Sequence, residues 1–256
     1  MRPALPAAFT GPPIAHRALH DIAAGRPENA LSAVRAAVAA GYGIEIDLQL
    51  TADGEAMVFH DYDLSRLTGR DGLLRDLTAA EAATVPLLGG DGECIPTLAA
   101  VRDAVNGEVP LLVEIKDQDR HDGPGVGPLE AAAARALQSY AGPVALMSFN
   151  PESMAEMSRL LPDVPRGLTT MSFDPDLWPL PAATCDRLTE IADFDRVEAS
   201  FISHHAADFP RDRVEALRQA GVPVLCWTIR SPGEEAAARA FADNVTFEGY
   251  LPALPA

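Results

Sequence analysis

Four short stretches of this sequence carry side chains whose types and spacing could do chemistry together. Glu45-Ile46-Asp47 lies in an apolar run. Alternation along a strand puts its two carboxylates on one face with Ile46 opposite. Glu114-Ile115-Lys116 has the same spacing, so an acid and the only lysine of the chain share a face of another strand. His16-Arg17 and His60-Asp61 each close a short apolar run. A solvated strand edge could also carry Glu45 and Asp47, but the flanking Gly43-Ile44 and Leu48 argue against one. Two buried acids side by side need a cation or a shared proton. Oxygen donors of this kind suit Mg2+ or Ca2+ rather than zinc. A lone histidine is most often structural, whereas two at one layer of strand ends make a general acid and a general base.

The elements that must position these groups follow from the apolar pattern. Strand-like runs recur at Pro13–His16, Gly43–Leu48, Ala56–His60, Leu111–Ile115, Val144–Phe149, Arg166–Met171, Ala199–Ser203, Val222–Ile229 and Val245–Phe247. Between them lie helical stretches: Glu28–Ala40 stopping at Gly41, one near Leu98–Val105, Leu129–Tyr140 stopping at Gly142, and Arg211–Ala220 stopping at Gly221. Ser231-Pro232-Gly233-Glu234 reads as a capping box that opens another helix, to about Ala242. Strands alternating with helices predict a parallel sheet. One run is surplus to an eight-stranded barrel. The link Thr51-Ala52-Asp53-Gly54-Glu55 is too short for a parallel crossover, so Ala56–His60 must fold back as a hairpin arm on the second strand. The expectation is a (β/α)8 TIM barrel, one domain over 1–256, with the arm and a small insertion (approximately 62–110) after strand 2. Active sites of such barrels sit at the C-terminal ends of the strands, where all four stretches end.

Composition bounds the function. The 256 residues suffice for one such barrel. With 48% hydrophobic and 22% charged residues the chain reads as globular. The formal charge of −17 argues against nucleic acid and acidic membranes as partners. An anionic substrate then needs a local cation. No apolar stretch is long enough to span a bilayer, and Met1–Pro13 lacks a signal-type apolar segment, so no stable membrane insertion and a cytoplasmic location are expected. Cys94, Cys185 and Cys226 are far apart and read as reduced structural thiols. Further strand ends carry Ser148-Phe149, Ser203-His204, Trp227-Thr228 and Glu248-Gly249. Trp227 is the candidate wall of a substrate pocket. His20, His121 and His205 read as loop residues. Oligomeric state is left open.

Taken together, these motifs resemble the glycerophosphodiester phosphodiesterase family over nearly the whole chain. His16-Arg17-Ala18 resembles its His-Arg-Gly, and Glu28-Asn29-Ala30 its Glu-Asn-(Thr/Ser). Glu45-Ile46-Asp47 with Thr51-Ala52-Asp53-Gly54 is similar to its Glu-x-Asp and hairpin. His60-Asp61 with Leu64-Ser65-Arg66-Leu67-Thr68 is similar to its His-Asp and Leu-x-Arg-x-Thr, and Glu114-Ile115-Lys116 to its Glu-(Ile/Leu)-Lys. The Ser-Phe and Trp-Thr strand ends also match. The resemblance implies a divalent metal on Glu45, Asp47 and Glu114. It implies His16 and His60 as the acid–base pair, with Arg17 and Lys116 on the phosphate. The implied substrate is a small glycerophosphodiester such as glycerophosphocholine or glycerophosphoethanolamine, cleaved to glycerol 3-phosphate and an alcohol, an activity of lipid and glycerol metabolism. Ala18 and Ala30 depart from the pattern, and Thr246-Phe247-Glu248-Gly249 replaces the usual Thr-Asp-Tyr-Pro, with no role assigned to Glu248. Two alternatives stand. One is a lysophospholipase D or sphingomyelinase D-like enzyme on the same barrel, which needs an apolar opening, with Leu73, Leu74, Leu87 and Leu88 as candidates. The other is a non-catalytic phosphodiester-binding barrel, which needs neither a histidine pair nor three acids.

Overall fold

The computed structural model describes residues 2–118 and 125–255. Within these, the strands are β1 (Ile14–Ala15), β2 (Gly43–Leu50), β3 (Ala56–Val58), β4 (Leu111–Ile115), β5 (Val144–Ser148), β6 (Arg166–Thr170), β7 (Phe201–His205), β8 (Val224–Ile229) and β9 (Asn244–Phe247). All but β3 are parallel, and β1 pairs with both β2 and β9, so the sheet closes into a (β/α)8 barrel. β3 lies antiparallel on β2 from Leu48↔Val58 to Leu50↔Ala56, as the short Asp-Gly link requires. Gly54, at φ 80°, supplies the left-handed residue of that turn.

Strand alternation sorts the core into layers. Ile44, Ile46, Leu48, Val113 and Ile115 point outward against the surrounding helices. Below the polar mouth the barrel interior is filled by Ile14, Leu112, Ala145, Phe201 and Leu225. The N-terminal segment plugs its base with Phe9, and Asn244 Nδ2 donates to the carbonyls of Phe9 and Pro12 at 2.8 Å to hold it there. Gly167 is required opposite Phe201, because a Cβ there would strike the ring. Among the described residues, no helix is long and apolar enough to cross a membrane.

Several boundaries differ from expectation for physical reasons. The first long helix is Leu31–Ala40, not Glu28–Ala40. Asn29 takes φ 61°, and the Glu28 and Asn29 side chains turn to the strand ends instead. The helix Pro151–Leu160, capped by Asn150, and the helix Ala182–Thr189 were not anticipated. Ser231 caps its helix at the Glu234 N–H, but Glu234 accepts from Arg230 N rather than Ser231 N, so the capping box is not reciprocal. His205 ends β7 instead of lying in a loop, and its ring packs 4.8 Å from that of Trp227. His20 is in a loop as expected, and His121 lies outside the described residues.

The segment after the arm builds a second apolar core from Met57, Phe59, Leu64, Leu74, Val85, Leu87 and Ile95. Leu74 and Leu87 are spent there, and Leu88 faces solvent beside Gly69. Of the four leucines named as candidates for an apolar opening, two are thus consumed by this core and one stands exposed.

Candidate active site

The strand ends bring all the expected side chains to one mouth. His16 follows β1, and its N–H donates to Phe247 O at 2.9 Å, extending the ladder with β9. Arg17 and Ala18 then turn left-handed (φ 53° and 64°). That turn aims Arg17 N at Glu45 Oε2 (2.8 Å) and Ala18 N at Glu45 O (2.9 Å). Glu45 and Asp47 point inward from β2, and Glu114 stands in register opposite Asp47 on β4. One oxygen from each of the three carboxylates lies within 4.8 Å of the others, and all three residues are buried. Lys116 Nζ bridges Asp47 Oδ1 (2.8 Å) and Glu114 Oε1 (2.7 Å). Asn29 Nδ2 donates to the other Asp47 oxygen at 3.0 Å.

His60 arrives on the hairpin arm, where Phe59 N donates to Asp47 O at 2.9 Å. His60 Nδ1 donates to Asp61 Oδ1 (2.7 Å). Arg66 grips Asp61 through Nε and Nη2 (2.6 and 2.8 Å) and Glu28 through both Nη atoms (2.9 Å each). Glu28 in turn accepts from Arg17 Nη1 at 3.0 Å. One chain of charges thus links both histidine-bearing segments. Glu28, Asn29 and Arg66 stand in the motifs quoted above, but their spacing carries no sign of this job, because their partners come from other segments of the chain.

Glu248 is the residue the sequence left without a role. His16 Nδ1 donates to its Oε2 at 2.7 Å, while Arg230 Nε donates to its Oε1 at 2.8 Å. Each histidine therefore has a carboxylate on Nδ1, which fixes that nitrogen as the N–H and leaves Nε2 to exchange a proton. Burial lowers the pKa of both rings below that of a free imidazole. The Glu248 hydrogen bond opposes that lowering for His16, as the Asp47 charge does for His60.

The carboxylates are unequal. Burial, then the charges of Asp47 and Glu114, push Glu45 well above the ordinary carboxylate range. Burial also pushes Glu114 up. Burial works against Asp47 too, but Lys116, His60 and Arg17 hold it far below that range. The Lys116 ammonium and, 3.8 Å from Asp47, the Arg17 guanidinium thus face three buried acids, which leaves one acid more than the cations offset. Three converging hard oxygens fit a Mg2+ or Ca2+ ion. Two cavities meet here. One of about 170 Å³ is bordered by His16, Arg17, Glu45, Trp227 and Arg230. The other, of about 490 Å³, runs outward past His60, and both share His60, Glu114, Lys116 and Phe149.

A model of the glycerophosphoryl diester phosphodiesterase family matches residues 16–247. A glycerophosphodiester phosphodiesterase of Caldanaerobacter subterraneus subsp. tengcongensis is 28% identical over 212 residues, covering 79% of this chain and 80% of that protein. Human glycerophosphodiester phosphodiesterase 1 is 33% identical over 166 residues, 61% of this chain and 48% of that protein. Among solved structures, an Oleispira antarctica phosphodiesterase in complex with the product sn-glycerol-3-phosphate superposes with a TM-score of 0.74. It is 26% identical, with 94% of each chain covered.

Proposed function

The chain belongs to the glycerophosphoryl diester phosphodiesterase family, and from that premise we propose that it hydrolyses glycerophosphodiesters to sn-glycerol 3-phosphate and an alcohol by histidine acid–base catalysis, with a divalent cation held by Glu45, Asp47 and Glu114. The observation that carries this reading is the three-carboxylate cluster standing beside two carboxylate-bound histidines at one barrel mouth. A bound cation would offset charge on the non-bridging oxygens and polarise phosphorus. Arg17 and Lys116 add positive charge to the same oxygens.

The two arms of the diester match the two cavities. Glycerol, constant and polar, suits the smaller one beside His16 and Trp227; the variable alcohol suits the larger one beside His60. His16 Nε2 then takes the proton of the glycerol 2-hydroxyl as its oxygen attacks phosphorus. His60 gives a proton to the departing alcohol oxygen. Water opens the cyclic phosphate with the two roles exchanged, which restores both rings. The three free thiols suit a reducing, cytoplasmic setting.

His16→Ala and His60→Ala are each expected to lower kcat by ~10²–10⁴-fold in a coupled glycerol 3-phosphate assay. A 4-nitrophenyl ester of glycerol phosphate separates the roles, because its leaving group needs no proton. Measured by the nitrophenolate that the first step releases, His60→Ala should recover most of the wild-type rate and His16→Ala should not. Glycerol 3-phosphate formation, which needs His60 as the base for water, stays slow in both. EDTA should abolish turnover, with Mg2+ or Ca2+ restoring it. Near wild-type turnover by either variant, or full activity in chelator, overturns the assignment.

A further inference from the structure

The larger cavity has a chemistry of its own. Its outer wall is carbon, built where the end of β5 meets the loop after β6. Phe149 lies edge-on to Phe173 (ring centres 6.3 Å) and 6.2 Å from Trp178, and Phe173 and Trp178 stand 4.9 Å apart. Leu180 and Leu188 back them. The rest of the lining carries Asp61, Asp63 and Asp117, of which Asp61 is already paired with Arg66. Among the described residues, the one lysine or arginine on the lining is Lys116, at the phosphate end and already bridging Asp47 and Glu114.

A leaving alcohol in this space meets aromatic rings and carboxylates. Inositol or glycerol hydroxyls would find acceptors on the acidic part of the lining but would be buried without partners wherever they meet the rings, which costs binding. A primary ammonium keeps its N–H donors and their water. A trimethylammonium group has no N–H to satisfy, presents methyl groups to the rings, and is attracted by the rings and by the acids of the lining. An acyl chain would gain from the rings but would bring nothing to the acidic part of the lining.

We propose that this alcove is a leaving-group pocket that selects a quaternary ammonium head group, so that glycerophosphocholine is the preferred substrate over its ethanolamine, inositol and glycerol counterparts. The inference rests on the hydrolysis proposed above.

The test compares kcat/KM for glycerophosphocholine, glycerophosphoethanolamine, glycerophosphoinositol and glycerophosphoglycerol, in the wild type and in Trp178→Ala, with Mg2+ present. Cation–π contacts of this kind predict roughly a 3- to 30-fold choline preference in the wild type. Trp178→Ala should lower kcat/KM for glycerophosphocholine more than for glycerophosphoglycerol and so remove most of that preference. Choline alone should inhibit the wild type competitively and the variant much less. Equal rates across the wild-type panel, or a loss in Trp178→Ala shared equally by all four substrates, overturn the pocket while leaving the reaction standing. Faster cleavage of lysophosphatidylcholine than of glycerophosphocholine, lost in Trp178→Ala, would assign the rings to an acyl chain and also overturn it. No turnover of any of the four would instead overturn the reaction itself.

Discussion

At the scale of single residues, the site is a set of short polar contacts that the strand pattern could locate only in part. Alternation identified Glu45, Asp47, Glu114 and Lys116 as inward neighbours, and they meet within hydrogen-bond range. Glu248 was not legible as a partner of His16, because 232 residues separate them and barrel closure alone joins them. Its geometry makes it a positioning residue, since it fixes the His16 tautomer and supports the imidazolium. Glu248→Gln keeps an acceptor but loses the charge. It should lower kcat roughly 10- to 100-fold, by analogy with the loss of carboxylates that orient histidines elsewhere, with little change in KM. Burial already depresses the His16 pKa and the Glu248 bond opposes that. Removing the charge therefore moves the acid limb of the kcat/KM profile to lower pH; an unmoved limb would deny the role. Ala18 illustrates a balance at the same scale. Its left-handed φ of 64° costs about 1–2 kcal/mol. Glycine would relieve that strain but would lose a buried methyl worth about 0.8 kcal/mol and gain unfolded-state entropy. The departure from glycine is thus close to neutral, and the turn keeps its shape.

At the scale of elements, the hairpin arm was readable from the length of its link, and its antiparallel register follows. The helix Pro151–Leu160 had signals in Asn150-Pro151, but it ends at Leu161 rather than at a glycine stop. The aromatic alcove had no period to read, since its rings come from a strand end and from irregular chain. The end of β7 carries a further consequence. His204 is fully buried: Thr170 Oγ1 lies 2.8 Å from its Nδ1 and Asp208 Oδ2 3.3 Å from its Nε2, and Phe209 packs on the ring. Burial pushes its pKa down to about 4, against the pull of Asp208 and with the help of Arg211 and His205. The unfolded chain takes up a proton near pH 6.5, and the folded chain does not until about pH 4. Stability is therefore whole above pH 6.5 and drains away as pH falls from 6.5 towards 4, by about 2–3 kcal/mol from this group. Urea unfolding at pH 7.5 and pH 4.5 should show that loss in the wild type and a smaller one in His204→Gln. Equal losses would mean that His204 does not carry the pH dependence.

At the scale of the whole molecule, the charge of −17 spoke against nucleic acid but left open how an anion is bound, and three of those acids lie at the centre of the barrel mouth. They are also a stability liability. Three carboxylates buried together outnumber the Lys116 ammonium and the Arg17 guanidinium beside them, which leaves one buried acid without a cation. A cation that binds the folded chain and not the unfolded one stabilises it by mass action, about 2.7 kcal/mol at a hundredfold excess over Kd. For a chain of this length that raises Tm by roughly 5–10 °C. Melting in EDTA and in Mg2+ or Ca2+ should differ by that amount in the wild type. Glu45→Gln should give the crossed result. Its amide oxygen can still accept from Arg17 N, while the acid that burial and its neighbours disfavour most is gone. The metal-free variant should therefore melt at or above the metal-free wild type and gain little from added cation. A wild type whose Tm ignores both ions, or a Glu45→Gln variant that melts lower in EDTA and still responds fully to metal, would show that the cluster is balanced by Lys116 and Arg17 without a metal.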